Sequence, residues 1–138
     1  MENNYKTKNH HKYLLQYHLI FVVKYRRTLF NVKQIDEDIK QLLFEICNKH
    51  NVEIKYMETD QDHCHMMIST DPTVCLSDLV RTMKSYSTYH IWEYHIDILK
   101  NFFWKEKTFW SDGYFISSIG EVSSDTLKHY IENQGKNT

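Results

Sequence analysis

Two histidines separated by one residue, His63 and His65, are the side chains of this chain best suited to binding a metal ion. They follow an acidic, polar segment at residues 58 to 62 that is typical of a turn, and they begin a segment typical of a strand. Alternate side chains of a strand share a face, so His63 and His65 would point one way and Cys64 the other. One divalent ion could reach both imidazoles, although a third ligand must come from elsewhere. A surface pair, or two hydrogen-bonded core histidines, would give the same spacing in a chain with nine histidines.

A tyrosine and a glutamine near the C-terminus supply further chemistry. Tyr130 and Gln134 are four residues apart, so they share one face of a helix. A tyrosine oxygen can attack phosphorus, and a glutamine carbonyl one turn away can be the third metal ligand. The set His63, His65 and Gln134 mixes nitrogen and oxygen donors, which suits a divalent ion with open positions for phosphate oxygens. The alternative is that Tyr130, one of ten tyrosines, packs at a helix end and that Gln134 is a solvated residue.

Length and composition indicate one small domain with a hydrophobic core. The chain has 138 residues, of which 41% are hydrophobic and 14% aromatic. Residues 1 to 10 are expected to form a flexible basic tail and residues 11 to 138 a single domain. No apolar run approaches a membrane span, and the Asn- and Lys-rich start is unlike a signal peptide. Cys47, Cys64 and Cys75 share no Cys-x-x-Cys spacing, which predicts a reducing, cytoplasmic environment.

Positive charge is concentrated at the N-terminal end, although the net charge is only −1. Residues 1 to 33 contain seven Lys and Arg against one acidic residue, a balance of 7 − 1 = +6 that leaves −7 for the remainder. A local basic region on a nearly neutral protein favours nucleic acid held at one place. The candidates for contacting a DNA backbone are Arg26 and Arg27, in a predicted loop, and Arg81 and Lys84, on the outer side of a predicted helix.

Predicted secondary-structure elements position these residues. Apolar alternation predicts strands, and apolar residues at helical spacing predict helices. In chain order the elements are a strand at residues 13 to 24, a helix at 33 to 50, a strand at 51 to 58, the histidine strand, a helix from about 77 to 90, a strand at 114 to 119 and a helix at 126 to 134. The second of these strands alternates through Val52, Ile54 and Tyr56. Residues 91 to 110 are dense in aromatics and show no clear pattern.

This order is a βαββαβ core with an added terminal helix. It predicts an α+β fold, ferredoxin-like or RNA-recognition-motif-like (RRM-like), in which an antiparallel sheet carries helices on one face. His63 and His65 would lie on the open face of that sheet, and Cys64 would point towards the helices. Residues 123 to 125 would cap the last helix, and Gly135 would end it.

The histidine pair on a strand, followed by a single Tyr-x-x-x-Gln in the last helix, resembles the HUH single-tyrosine transposases. The resemblance is closest to the small transposases of the insertion-sequence 200/605 family, and it covers nearly the whole chain. Residues 17 to 27 look like the opening strand and basic loop, 83 to 87 like the middle helix, and 109 to 120 like the segment before the tyrosine helix. Cys64 stands at the hydrophobic position between the histidines, where a buried cysteine behaves as a small hydrophobe.

The resemblance implies a metal-dependent transposase that cuts and rejoins single-stranded DNA with hairpin ends. Tyr130 would form a 5′-phosphotyrosine intermediate, and His63, His65 and Gln134 would hold Mg²⁺ or Mn²⁺. The resemblance also implies a homodimer, because family members are homodimers and several exchange the tyrosine helix between subunits. Two alternatives are a rolling-circle-type HUH replication initiator and a non-catalytic module that binds single-stranded nucleic acid through stacking aromatics and a basic loop.

Overall fold

A computed structural model of the protein describes residues 6–8, 11–13, 15–119 and 124–134. The elements of the described chain, in order, are β1 (Lys6–Lys8), β2 (His11–Tyr13), β3 (Leu15–Val22), two short 3-10 helices (Lys24–Arg26 and Leu29–Asn31), α1 (Lys33–Lys49), β4 (Glu53–Asp60), β5 (His63–Thr70), α2 (Leu76–Leu99), β6 (Phe115–Ser118) and α3 (Ser124–Asn133).

Four strands form one antiparallel sheet in the order β4-β5-β3-β6, and β1 pairs with β2 as a separate hairpin. Helix α1 connects β3 to β4, and α2 connects β5 to β6. The connectivity is therefore βαββαβ followed by α3, and the predicted α+β, ferredoxin-like fold is confirmed. The histidine strand β5 lies in the interior of the sheet, where both of its edges are hydrogen-bonded.

One face of the sheet forms the core with α1 and α2. Leu19 pairs with Met66 and Phe21 pairs with Cys64, and all four side chains are fully buried. Apolar residues at helical spacing on the two helices pack on this face: Ile35, Ile39, Leu42, Leu43, Ile46, Leu79, Val80 and Met83. Each such side chain contributes about 1.5–3 kcal/mol when fully buried, which fixes both helices on this side.

The opposite face of the sheet carries the histidines. Val22 pairs with His63, and Ile20 pairs with His65 on one side and with Phe115 on the other. Paired residues in an antiparallel sheet point to the same side, so these side chains form rows across three strands. Ile20 and Val22 are fully buried here although α1 and α2 lie on the other face. On this side, Tyr130 of helix α3 packs against Phe115 of β6.

Strand β4 departs from the predicted alternation. Its register with β5 shifts between Ile54 and Tyr56, which is a β-bulge. Ile54 pairs with Ile68 on the core face, whereas Tyr56 pairs with Met67 on the histidine face and is 46% exposed. The prediction that Ile54 and Tyr56 point to the same face is wrong. The bulge inserts one extra residue, so the side chains after it point to the opposite face from the one predicted.

Helix α2 is longer than predicted. It continues past the predicted end near His90 to Leu99, with a break in regular helical geometry at His95 (φ −135°, ψ 39°). The ring of His95 lies on α1, with 2.5 Å between its Nε2 and Asp38 Oδ2. Only three residues of this last part are buried, Ile91, Trp92 and Leu99. Because they do not form a regular stripe, the sequence shows no helical period here.

The aromatic residues that follow α2 return to the core. Phe109 and Trp110 are buried and meet edge to face with 4.7 Å between ring centroids. Trp110 Nε1 donates a hydrogen bond to Ser87 Oγ at 2.9 Å, and Trp92 Nε1 donates to Thr108 O at 2.8 Å. This segment is therefore held to α2 by its own side chains, and it leads directly into β6.

The predicted caps of the last helix cannot all be followed, because residue 123 and Gly135 lie outside the described residues. Residues 6 to 8 of the predicted tail form β1, and the flexibility of residues 1 to 10 stays a prediction. The three cysteines are free thiols. Among the described residues, no helix combines the length and the apolar character that crossing a membrane requires.

Candidate active site

The two predicted metal ligands lie side by side on the open face of β5. His63 and His65 are both half-buried, whereas Cys64 between them is fully buried on the core face. On the neighbouring strand β4, Asp60 pairs with His63 and Glu58 pairs with His65. The predicted facing of this strand is confirmed, and the two imidazoles are flanked by carboxylates.

His65 makes a close contact with a third histidine. His65 Nε2 lies 3.0 Å from His18 Nδ1, and the two ring centroids are 5.2 Å apart. Burial lowers the pKa of His65, and the nearby His18 and His63 lower it further against the opposing effect of Glu58. A lowered pKa keeps the His65 ring neutral at neutral pH, which leaves a nitrogen lone pair available to a metal.

A carboxylate lies next to one ring nitrogen of His63. Its Nδ1 lies 3.2 Å from Asp62 Oδ1, and the second oxygen of Asp62 accepts a hydrogen bond from Arg26 Nε at 2.7 Å. Arg26 Nη1 also donates to the backbone carbonyl of Glu132 in α3 at 2.6 Å. A carboxylate on one ring nitrogen orients an imidazole and makes its other nitrogen a better metal ligand. The same arginine thus joins the histidine strand to the tyrosine helix.

Tyr130 lies on the histidine face of the sheet. Its ring contacts Phe115, with 5.1 Å between centroids. Phe115 belongs to the row that runs through Ile20 to His65, two strand spacings or about 10 Å away. The Tyr130 hydroxyl is buried without a hydrogen-bond partner in the described part of the chain, and burial strongly raises its pKa. In this arrangement the phenol is neutral and covered.

Gln134 is held one turn beyond Tyr130 by the segment that leads into β6. Its Nε2 donates to Asp112 O at 2.6 Å. Gly113 has a φ of +79°, and a side chain there would place its Cβ 3.3 Å from Gln134 Nε2. Glycine is therefore favoured at this position both by the backbone conformation and by the close approach of Gln134. The side-chain carbonyl oxygen of Gln134 is the atom that suits a metal.

His63 and His65 have surroundings typical of metal-binding histidines. In the described chain, no group of three His, Cys, Asp or Glu side chains lies close enough to hold a metal alone, so a further donor of another type is needed. Gln134 is the donor that the sequence predicts, and its part in a metal site stays a prediction. The neutral ring of His65 and the carboxylate behind His63 are features of metal-binding histidines.

The four predicted DNA-binding residues have different surroundings. Arg26 bridges Asp62 and α3, and Lys84 Nζ donates to Ser111 O at 2.9 Å and to Gly113 O at 2.5 Å. Burial lowers the pKa of Lys84 to about 8. Arg27 lies between two aromatic rings, and Arg81 is exposed on α2 beside Asp78. Direct contact of these residues with DNA stays a prediction, but two of them already hold internal carbonyls.

Sequence reasoning missed His18 and Asp62 as site residues. His18 lies far from the histidine pair in the sequence, and only the pairing of β3 with β5 brings its ring to His65. Asp62 could have been predicted from the sequence, because it directly precedes His63 and a carboxylate next to a metal-binding histidine commonly orients its ring.

Solved transposases share this fold. A chain described as a transposase from Deinococcus radiodurans R1 matches with a TM-score of 0.84 and 26% identity, covering 94% of this chain and 97% of that chain. A REP-associated tyrosine transposase, solved bound to a REP hairpin, matches with a TM-score of 0.56 and 11% identity over 91% of this chain and 69% of its own, a likeness of fold. The fold therefore places the chain in the transposase class.

Sequence comparison gives the family. The family model described as "Transposase IS200 like" matches residues 11–134. The transposase for insertion sequence element IS200 of Salmonella typhimurium is 28% identical over 130 residues, which is 92% of this chain and 84% of the relative. The ISDra2 transposase TnpA of Deinococcus radiodurans is 30% identical over 122 residues, or 88% and 85% of the two chains. This chain belongs to the IS200-like transposase family, as the sequence resemblance predicted.

Proposed function

We propose that this transposase cleaves and rejoins single-stranded DNA at the ends of an insertion sequence, with Tyr130 as the nucleophile. The observation that carries the proposal is the placement of Tyr130 and the histidine pair on one face of one sheet, joined by the row from Phe115 to His65. The three residues of this row and the tyrosine that packs on it come from four different elements, so the arrangement is a property of the whole fold.

The proposed reaction is a transesterification in two steps. Tyr130 Oη forms a bond to a backbone phosphorus as its proton is lost, and the bond from phosphorus to the 3′ oxygen of the preceding nucleotide breaks. That oxygen takes up a proton and leaves as a free 3′-hydroxyl. The 3′-hydroxyl of a second DNA end then attacks the 5′-phosphotyrosine, and Tyr130 leaves as the phenol. The number of phosphodiester links is conserved, so no nucleotide triphosphate is needed.

His63, His65 and Gln134 are proposed to hold a Mg²⁺ or Mn²⁺ ion, which would stabilise the charge that develops on the scissile phosphate. Asp62 and Arg26 keep the His63 ring in place, and Asp112 O does the same for the Gln134 side chain. Because the Tyr130 hydroxyl is buried, either α3 or the residues around the hydroxyl must move before the oxygen can reach a phosphate.

The proposed substrate is a single strand whose ends fold into hairpins. The REP-associated relative was solved with a REP hairpin, which supports hairpin binding on this fold. A homodimer is also proposed. Helix α3 is held in place by Arg26, by Gln134 and by the Tyr130–Phe115 contact. If two copies exchanged their α3 helices, the same three contacts would form between subunits instead of within one.

The test is covalent trapping. Wild-type protein is incubated with Mn²⁺ and an end-labelled hairpin oligonucleotide taken from the imperfect palindromes that flank the reading frame. We expect an adduct that survives denaturation and that peptide mapping assigns to Tyr130. Tyr130→Phe should form none, while Tyr89→Phe, which alters an exposed tyrosine on α2, should react like wild type.

Two outcomes would reject the proposed chemistry. An adduct mapped to another residue would exclude Tyr130 as the nucleophile. Tight hairpin binding with no adduct at all would favour the non-catalytic binding module, which the covered state of the Tyr130 hydroxyl would then explain.

A further inference from the structure

A cavity opens beside the basic loop that follows β3. Its volume is about 450 Å³, within the usual range of small-molecule sites. It lies between the loop after β3 and the segment after α2, and it is lined by Tyr25, Arg27, Phe102, Phe103, Trp104, Lys105, Glu106 and Thr108. None of these residues has a role in the reaction proposed above.

The walls of this cavity are exposed aromatic rings. Trp104 is 70% exposed and Tyr25 is 51% exposed, whereas Phe103 beneath them is buried. The Tyr25 and Phe103 ring centroids are 6.5 Å apart, so Tyr25 is supported from below while its outer side faces solvent. Trp92 and Trp110, the other two tryptophans, are both buried. Large aromatic faces left open to water are a feature of surfaces that stack on a ligand.

The cavity is also positively charged. The guanidinium carbon of Arg27 lies 6.0 Å from the ring centroids of both Tyr25 and Trp104. Arg27 Nε is buried and has no hydrogen-bond partner among the residues that the structure describes. Lys24 Nζ lies 5.6 Å from the Tyr25 centroid and pairs with Glu106 at 3.2 Å, so the one carboxylate at the rim is neutralised. Arg27 and Lys105 therefore remain to attract an anion.

The backbone of the loop directs neighbouring side chains to opposite sides. Tyr25 and Arg26 both have positive φ, 58° and 54°, a conformation uncommon for residues other than glycine. Arg26 points to Asp62 and to α3, while Tyr25 and Arg27 point into the cavity. The cavity is thus one residue away from the network that holds His63 and the tyrosine helix.

We propose that this cavity binds an unpaired base of the DNA strand, within a few nucleotides of the phosphate that Tyr130 attacks. The inference rests on the proposed function, because it takes the strand to lie across the histidine face. A nucleotide combines a flat π-face with an anionic phosphate. Two open aromatic rings, each with its centroid 6.0 Å from the Arg27 guanidinium carbon, recognise both parts, and such stacking is tolerant of sequence.

The first measurement is the intrinsic fluorescence of the full chain on addition of the oligonucleotide (dT)12. Trp104 dominates the solvent-exposed emission, since Trp92 and Trp110 are buried. We expect (dT)12 to quench the exposed emission in wild type and to leave the emission of Trp104→Ala unchanged. This readout needs no cleavage, so it is independent of the nucleophile assignment.

The second measurement is the affinity for fluorescein-labelled (dT)12, followed by anisotropy. Trp104→Ala and Arg27→Gln should each weaken binding by roughly tenfold or more, as expected for the loss of one stacked base or its cationic partner. The matched control is Phe44→Ala, which removes an exposed aromatic ring (43%) from α1 that does not line the cavity. Its affinity should equal that of wild type. Circular dichroism confirms that each variant is folded.

An abasic site moved one position at a time along the single-stranded flank of a hairpin then locates the base. At one position, the abasic site should lower the affinity of the wild-type protein for the hairpin. The same abasic site should not lower the affinity of Trp104→Ala any further. Wild-type affinity in folded Trp104→Ala and Arg27→Gln, or an equal loss in Phe44→Ala, would overturn the proposal. If the Tyr130 adduct still forms in that case, the proposed function stands without this site. Quenching and weakened binding without any adduct would instead keep the site and reject the chemistry.

Discussion

The Tyr130 hydroxyl is the group of the site whose surroundings are unfavourable for the stability of the fold. It is buried without a hydrogen-bond partner in the described chain, and its ring rests on Phe115. A buried, unpaired hydroxyl costs about 1–3 kcal/mol of stability. A fold that keeps such a group at this position suggests that the oxygen is needed for another purpose.

Replacement of Tyr130 by phenylalanine tests that idea. We expect Tyr130→Phe to have a free energy of unfolding equal to wild type or higher by up to about 1–3 kcal/mol, because it removes the unpaired oxygen and keeps the ring. Urea denaturation measures the change. The control is Tyr86→Phe, which removes a hydroxyl that donates to Glu45 Oε2 at 2.9 Å and should lower stability by about 1 kcal/mol. Equal destabilisation of the two variants would contradict the prediction.

The histidine pair supports a second residue-scale prediction. His63→Ala and His65→Ala should each abolish metal-dependent cleavage while the protein stays folded, because both side chains lie on the open face and outside the main core. Adduct formation with Mn²⁺ measures cleavage, and calorimetric titration with Mn²⁺ measures metal binding. His50→Ala, at the exposed end of α1, serves as the histidine control. Wild-type cleavage in a folded His63→Ala, His65→Ala double variant would exclude the proposed ligands.

At the scale of elements, α3 is held differently from α1 and α2. The two longer helices bury rows of isoleucine and leucine, whereas α3 is attached by two side-chain-to-carbonyl hydrogen bonds and one ring contact in its described part. Few buried apolar contacts give a segment a low local stability. Helix α3 is therefore the element expected to move first when Tyr130 is uncovered.

The hydrogen bond from Arg26 to α3 is the contact to remove. Arg26→Ala should speed hydrogen exchange of the α3 amides by roughly tenfold, as expected when a hydrogen bond to a charged group is lost, and should reduce adduct formation. Arg81→Ala is the matched control, because Arg81 pairs only with Asp78 of its own helix in the described chain. Unchanged exchange in Arg26→Ala would mean that α3 is fixed by other contacts. A loss of DNA binding with unchanged exchange would assign Arg26 to the DNA instead.

At the scale of the whole molecule, charge decides how DNA is held. A net charge of −1 gives no general attraction, so binding must come from the basic region at residues 1 to 33 and from the shape of the sheet face. A fully paired duplex hides its bases, whereas a hairpin with single-stranded flanks offers both a stem and open bases. We expect the second form to suit this protein.

Binding should therefore depend on the form of the DNA and on salt. A single-stranded hairpin oligonucleotide should bind at least about tenfold more tightly than the perfect duplex of the same sequence, and its affinity should fall steeply as salt rises, because cationic side chains displace counterions. Anisotropy titrations at several NaCl concentrations measure both effects. Equal affinity for hairpin and duplex would contradict the proposed substrate.

Features that depend on local periods could be predicted from the sequence. The two-residue period placed His63 and His65 on one face and Cys64 on the other, and the four-residue spacing put Tyr130 and Gln134 on one side of α3. Helix α1 and the βαββαβ order followed from the same patterns, because each element carries its own apolar period. The family resemblance also came from residues in fixed local order.

Contacts between residues far apart in the sequence could not be predicted in this way, because they depend on how the elements pack. The contact of His18 with His65, the engagement of Arg26 and Lys84 with backbone carbonyls, and the burial of the Tyr130 hydroxyl all depend on strand register and helix docking. The bulge in β4 could not be predicted either, because it changes the face to which later side chains point and leaves no trace in the composition of the strand. The hydrogen-bonded contacts among them join residues 27 or more positions apart, and the energies that select them arise from packing and burial rather than from any local pattern.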